Sequence, residues 1–388
     1  MLTKSLQDIT YEDFDNLCNS RAPENRFLEF KRDLPGPKDK DRFEFVKDVS
    51  AFANADGGDL IYGIEEQDGC ASAMAAIKDA SPDSIELRLR QILDAALEPR
   101  LDQLQIQCVP VSDGHVVIVR IPSNAKGPFR VIQNSNSRFV IRDVNYVRDM
   151  TFSEIRSAFS ADREFRSFVD NQQRAAVQKI SEGATWRPLL EGPALAFQII
   201  PFACTTGRID FDVIRAFDDN HYMNMSSWGD VSKSINLDGV IFHMGSEDKI
   251  YAYSQAQRNG IFELFTFSGH SLSDAKIIPA LSLAKDVREA AAVFSQHYRR
   301  LKIGGPAALA LSLVGTKGRK LEMGNRYYRS NAIGDRDVMT IPPVYLENIG
   351  DELVIDPTLK SLMDITWQAF GIQTCPYYDE NGDWLNPN

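Results

Sequence analysis

The chain has 388 residues, 43% hydrophobic and 25% charged, which is the composition of a folded protein and a length that suits two domains. Its formal net charge of -11 excludes a molecule drawn to nucleic acid by overall charge, so any phosphate contact requires a local basic patch. Cys18, Cys70, Cys108, Cys204 and Cys375 form no CxxC pair and no even framework, and no apolar run approaches the roughly 18 residues of a membrane span. With no signal core at its start, the chain is expected to be a cytoplasmic protein with reduced thiols and no membrane partner.

Taken in chain order, LQDITYEDFDNLCN (6–19) places Leu6, Ile9, Phe14 and Leu17 at helical spacing before Pro23, predicting a lead-in helix within residues 1–19. RFLEFKR then alternates as a strand does, with Leu28 and Phe30 on one side and Phe27, Glu29 and Lys31 on the other. RFEFVKDVSAFANADGG sets Phe45, Val49, Phe52 and Ala53 on a helix that stops at Gly57 and Gly58. DLIYGIEE follows as a second strand, with Gly63 at a bulge or close backbone approach. This strand, helix and strand predict a crossover with the carboxyl ends of both strands side by side, bringing Glu65 and Glu66 toward Glu24 and Glu29.

SPDSIELRLRQILDAALEPRL predicts a helix capped by Ser81 or Ser84 and ended at Pro99. LQIQCVPV and HVVIVRIPS pair about Asp113 and Gly114, PFRVIQNSNSRFVIRD makes a further hairpin, and Thr151 or Ser153 caps the helix begun by TFSEIRSAF. Residues 20–160 are therefore expected to form one α+β domain. A charged helix over 153–182, ended by Gly183, supplies a helical connector across 161–190. Residues 191–388 are expected to form a second α+β domain with an antiparallel sheet, from a meander of ALAFQIIPF, GVIFHMG, KIYAYSQ and GIFELFTFS, then a helix at AKDVREAAAVFSQHYRRLKIG, the strand AALALSLVG and the terminal helix DPTLKSLMDITWQAFG.

Glu24, Glu29 and Glu66 are the candidate catalytic and metal-binding residues. Three converging carboxylates drive a pKa upward unless a cation sits among them, and an all-oxygen site suits Mg2+ or Mn2+. Such an ion activates water and neutralises charge growing on a phosphate, and Lys31, on the same strand face as Glu29, is the candidate for assisting it. The opposing reading is that Glu and Lys two apart on a wet strand face are ordinary solvated surface. Arg32, Lys38, Lys40, Arg42 and Lys47, with Arg130, Arg138, Arg142 and Arg148 near the later hairpin, are the candidate phosphate contacts, interleaved with Phe129, Phe139 and Tyr146 for stacking. Asp33, Asp39, Asp41, Asp48 and Asp143 lie among them and allow the alternative of paired surface charge. The five histidines lack metal spacing, and LVGTKGRK lacks the spacing of a phosphate loop. DNHYMNMSSWGD (219–230) reads as a loop, either part-buried or a recognition surface.

ENRFLEFKRD, VKDVSAFANADGGDLIYGIEE and IPSNAKGPF followed by NYVRDMTFSEI resemble the Schlafen AlbA-type, or divergent AlbA, domain over about residues 20–160. That resemblance implies nucleic-acid binding and, in the family's nucleases, metal-dependent cleavage of structured RNA such as tRNA by three acids. Two of those acids stand in the ExxxxEFK motif, here Glu24 and Glu29. The third is an aspartate shortly after a strand end, where this chain has Glu66, one methylene longer. Many bacterial members are taken to be DNA-binding regulators with no demonstrated catalysis, which is the alternative expectation. The first expectation is a metal-dependent endonuclease acting on structured RNA, RNA before DNA, in phage defence or stress. The chain shows one copy of the domain, so a homodimer is expected to supply a second lobe, and the carboxyl-terminal domain is expected to bind a protein or small-molecule signal.

Overall fold

Leu28 and Phe30 are buried on one face of a short strand while Glu29 and Lys31 take the other, and the first unit is organised around that alternation. The computed structural model describes residues 6–78, 81–101, 104–122, 127–133, 136–144, 146–206, 209, 211–218, 221–223, 231–245, 249–267, 276–301, 303–323, 332–349 and 355–385. Contacts divide the chain into Met1–Arg163 and Glu164–Asn388.

In the first unit, a single turn at Leu6–Asp8 precedes α1 (Tyr11–Asn19), β1 (Leu28–Lys31), α2 (Asp39–Ala53), β2 (Gly58–Tyr62), β3 (Ile64–Gln67) and β4 (Cys70–Met74). There follow α3 (Pro82–Ala96), β5 (Leu97–Glu98), β6 (Gln105–Val111), β7 (Gly114–Ile121), β8 (Arg130–Gln133), β9 (Asn136–Asp143), β10 (Tyr146–Asp149) and the start of α4 (Phe152–Ser181). One sheet runs β1-β2-β7-β6 and a second β10-β9-β8-β5. β1 and β2 are parallel, with Glu29 opposite Leu60 and Lys31 opposite Tyr62. Phe45, Val49 and Phe52 of α2 pack with Leu60, Tyr62, Val117 and Val119 on the face that carries Glu29. Phe14 of α1 packs with Leu28, Phe30, Ile61 and Val116 on the other.

The stretch DLIYGIEE divides into two strands. Gly63 lies between them at φ +93, where a Cβ would stand 3.3 Å from the His115 carbonyl oxygen, so β3 leaves the sheet and pairs with β4 instead. At the start of α4, Glu154 N–H donates to Thr151 Oγ1 and Thr151 N–H to the Glu154 carboxylate, a reciprocal cap. Ser81 caps α3 by accepting from Ser84 N–H.

The second unit contains residues 164–181 of α4, then β11 (Ala194–Pro201), α5 (Ala203–Thr206), α6 (Val213–Ala216), β12 (Ser232–Ile235), β13 (Gly239–Gly245), β14 (Ile250–Gln257) and β15 (Phe262–Phe267). It continues through β16 (Ile277–Pro279), α7 (Ala280–Arg300), β17 (Ala307–Val314), β18 (Lys320–Glu322), β19 (Val338–Leu346) and α8 (Ile355–Gln368). Its antiparallel sheet has the order β12-β13-β14-β15-β11-β17-β19. One face packs Phe197, Phe242 and Leu311 against Val287 and Phe294 of α7 and Leu359 and Trp367 of α8. On the opposite face Ala176 of α4 packs with Ala196, Tyr253 and Phe265. Gln173 fastens the helix there by donating to the carbonyls of Leu311 and Ile341. The residues expected as a connector thus split: α4 ends at Ser181, and its part beyond Arg163 is a layer of the second unit.

Candidate functional site

Glu29 is the hub. Its Oε1 lies 2.5 Å from Lys31 Nζ, and its Oε2 accepts a charge-assisted hydrogen bond from Arg142 Nη1 of β9. Lys31 Nζ also lies 3.5 Å from Asp48 Oδ2, which α2 lowers onto the strand face. Arg142 is buried: Nη2 donates to the carbonyls of Asn25 at 3.0 Å and Leu28 at 3.4 Å, and its guanidinium lies 4.4 Å from the Phe52 ring centroid. Two buried carboxylates, Glu29 and Asp48, are thereby faced by two cations, Lys31 and Arg142.

Glu24 and Glu66 stand at the edge of this group. Glu24 Oε1 accepts the Phe30 N–H at 2.8 Å, and Glu66 Oε1 accepts the Gly69 N–H at 2.5 Å inside its own hairpin. Glu24 N–H donates to the Gly69 carbonyl, tying the two segments together. Burial pushes the Glu24 carboxyl up, the Phe30 N–H opposes this, and the charges of Glu29 and Glu66 add to the rise. Glu24 therefore feels both of the other predicted acids. Burial, with Glu29 adding to it, also pushes Asp48 up, to about 7, against the pull of Lys31 and Lys47. For Lys31, burial works downward, but Asp48 and Glu29 outweigh it and leave the ammonium raised. Burial, then Asp48 and Glu29, hold the Tyr62 phenol well above its ordinary range.

Mg2+ or Mn2+ would require several carboxylate oxygens turned to one point. Among the described residues no three His, Cys, Asp or Glu side chains converge in that way. The donor set gives the reason: both Glu29 oxygens face basic side chains, while one oxygen each of Glu24 and Glu66 is taken by a backbone N–H. As arranged, these residues do not fit a divalent ion.

The family model described as Schlafen, AlbA_2 matches residues 24–151. These residues form a Schlafen AlbA-type domain. The match takes in about a third of the chain, within the first unit. No curated protein matches the chain. Among solved structures, the N-terminal domain of a Nitrosomonas europaea protein related to the ATP-dependent DNA helicase RecG is 20% identical with a TM-score of 0.28, covering 37% of this chain and 94% of its own. The DIP2311 protein of Corynebacterium diphtheriae is 17% identical with a TM-score of 0.27, covering 38% of this chain and 27% of its own.

The Schlafen AlbA-type domain sorts its basic residues into three groups. Arg142, expected as a surface phosphate contact, is instead an internal partner of Glu29, because β9 packs against α2 and sets the guanidinium over Phe52 in the core. Arg32 lies beside Glu65 and Asp33, Lys47 beside Glu44, Arg130 beside Glu98, Arg138 beside Asp149, and Arg148 beside Asp143 and Glu154. Lys38, Lys40 and Arg42, at the start of α2, are exposed and make no ion pair among the described residues. Of the expected stacking aromatics, Phe129 is buried in the core, Phe139 packs edge-on against Phe159, and Tyr146 is exposed. Residues 219–220 and 224–230 of the expected recognition loop lie outside the described residues.

Asp48 is a site residue that the sequence pattern offers only as a counter-charge among the basic residues. The signal was present: Asp48 falls three residues after Phe45 and four before Phe52, on the helix face that the apolar pattern buries.

Proposed function

We propose that the Schlafen AlbA-type domain binds nucleic acid through phosphate contacts at the start of α2, and that it holds the strand without cutting it. The observation that carries this reading is the state of Lys38, Lys40 and Arg42: exposed, and free of carboxylate partners among the described residues. In a chain of net charge -11, cations left unpaired within a few residues of one another supply the local attraction that overall charge does not. The paired arginines of the β8 to β10 region must first give up Glu98, Asp149, Asp143 or Glu154, and they contribute less.

A second reading, a metal-dependent endonuclease acting on structured RNA, is favoured by the influence of Glu29 and Glu66 on Glu24. It requires the entering ion to displace Lys31 from Glu29.

Fluorescence anisotropy with labelled RNA and DNA strands across a salt series tests the proposal. Affinity should fall as salt rises. The variant Lys38→Gln/Lys40→Gln/Arg42→Gln should weaken binding and flatten the slope of log K against log salt by about 2 on single strands and about 3 on duplex DNA. An unchanged slope in that variant places the contacts elsewhere.

A further inference from the structure

The acid cluster contains more negative charge than the three predicted acids, because Asp48 joins it from α2. A buried carboxylate without a counter-charge is costly, so Glu29, and Asp48 once it has lost its proton, need cations close at hand. The fold provides two of its own. Lys31 Nζ lies between the two carboxylates, 2.5 Å from one and 3.5 Å from the other. Arg142 closes on the remaining Glu29 oxygen, while Asn25, Leu28 and the Phe52 ring hold its guanidinium.

We infer that Lys31 and Arg142 are the built-in counter-cations of this cluster, with the Lys31 ammonium occupying the position a divalent ion would take between Glu29 and Asp48. Arg142 cannot swing aside without abandoning backbone carbonyls inside the core. An entering ion would therefore have to evict Lys31, whose side chain is 40% exposed and whose ammonium is the more displaceable of the two. Two things follow. The native chain does not take up Mg2+ or Mn2+ at Glu29, and removing the Lys31 charge while keeping its stem uncovers a cation site made of Glu29 and Asp48. This deepens the binding-without-cutting reading, but its readout uses metal alone. A failure here leaves nucleic-acid binding untouched, and a chain that binds no nucleic acid still gives an answer here.

The experiment is a Mn2+ titration of the full chain, followed by the loss of the free-ion electron paramagnetic resonance signal, on the native protein, Lys31→Met, Lys31→Gln and Lys31→Met/Asp48→Asn. Thermal unfolding of each variant with and without Mn2+ identifies any that fails to fold, and the Gln variant stands in if Met does. The native protein should show only the weak background that its surface acids give. Lys31→Met or Lys31→Gln should gain one site at least about tenfold tighter than that background, and the added Asp48→Asn should abolish it. A native site of one equivalent that disappears in Glu29→Gln would overturn the inference. So would a Lys31 variant that folds and gains no site, because the ammonium would then not stand where a cation belongs.

Discussion

Replacing Arg142 with Met keeps most of the side chain's bulk and removes its charge, leaving the buried Glu29 Oε2 without a partner. Removing one member of a buried ion pair costs about 3–5 kcal/mol. Lys31 still covers Oε1, so the expectation is near the lower end, about 3 kcal/mol, or about 6–12 °C in the melting temperature of a unit of this size. All four tryptophans, Trp186, Trp228, Trp367 and Trp384, belong to the second unit, which separates the signals. In urea, far-ultraviolet circular dichroism should show one component moving to lower denaturant, while the tryptophan fluorescence transition stays in place. The double variant Glu29→Met/Arg142→Met removes both charges together and should recover most of the loss, since apolar replacement of an entire buried pair is close to neutral. A single variant costing under about 1 kcal/mol, or a double variant as unstable as the sum of its two singles, would refute the account of Glu29 as a neutralised internal hub.

Two further outcomes follow from the same geometry. Because Asp48 is raised in the folded chain, the native state holds its proton at pH values where the unfolded chain has lost it. Stability from this group is present at acid pH and is lost as pH rises from the ordinary aspartate range toward about 7. Asp48→Asn should flatten that part of the stability profile of the first unit, and an unchanged profile would show that Asp48 ionises normally. Thr151→Ala removes the reciprocal cap of α4 and should cost about 1 kcal/mol by urea denaturation, with a change below about 0.3 kcal/mol counting against the cap.

Much of the Schlafen AlbA-type domain is legible in the sequence, for physical reasons. Alternation in RFLEFKR places Leu28 and Phe30 opposite Glu29 and Lys31, and α2 ends at Ala53, a few residues before Gly57 and Gly58, so the parallel pairing of β1 with β2 follows from local pattern together with the crossover rule. β19 was not read, because Pro342 and Pro343 look like loop punctuation; the strand is tolerated because it lies at the sheet edge, where the missing N–H groups matter less. β4, with its small residues, gives no alternation strong enough to announce a strand.

Four members of the cluster could be named from the sequence, but Asp48 and the pairings could not. Glu24, Glu29, Glu66 and Lys31 do share one neighbourhood. The role of Arg142, however, depends on a contact across 113 residues of chain, a separation at which sequence spacing carries no information. The same distance hides Asp48 as a partner of Lys31, since only the packing of α2 on β1 brings the two together.

The most direct test of the central claim reads binding and strand integrity from one sample. Native gels of the full chain with a structured RNA and with DNA, run with Mn2+ and with EDTA, are followed by denaturing gels of the recovered nucleic acid. The account predicts a shifted band in both conditions and intact strands in both. Strands cleaved with Mn2+, intact with EDTA and intact again with Glu29→Gln would contradict it.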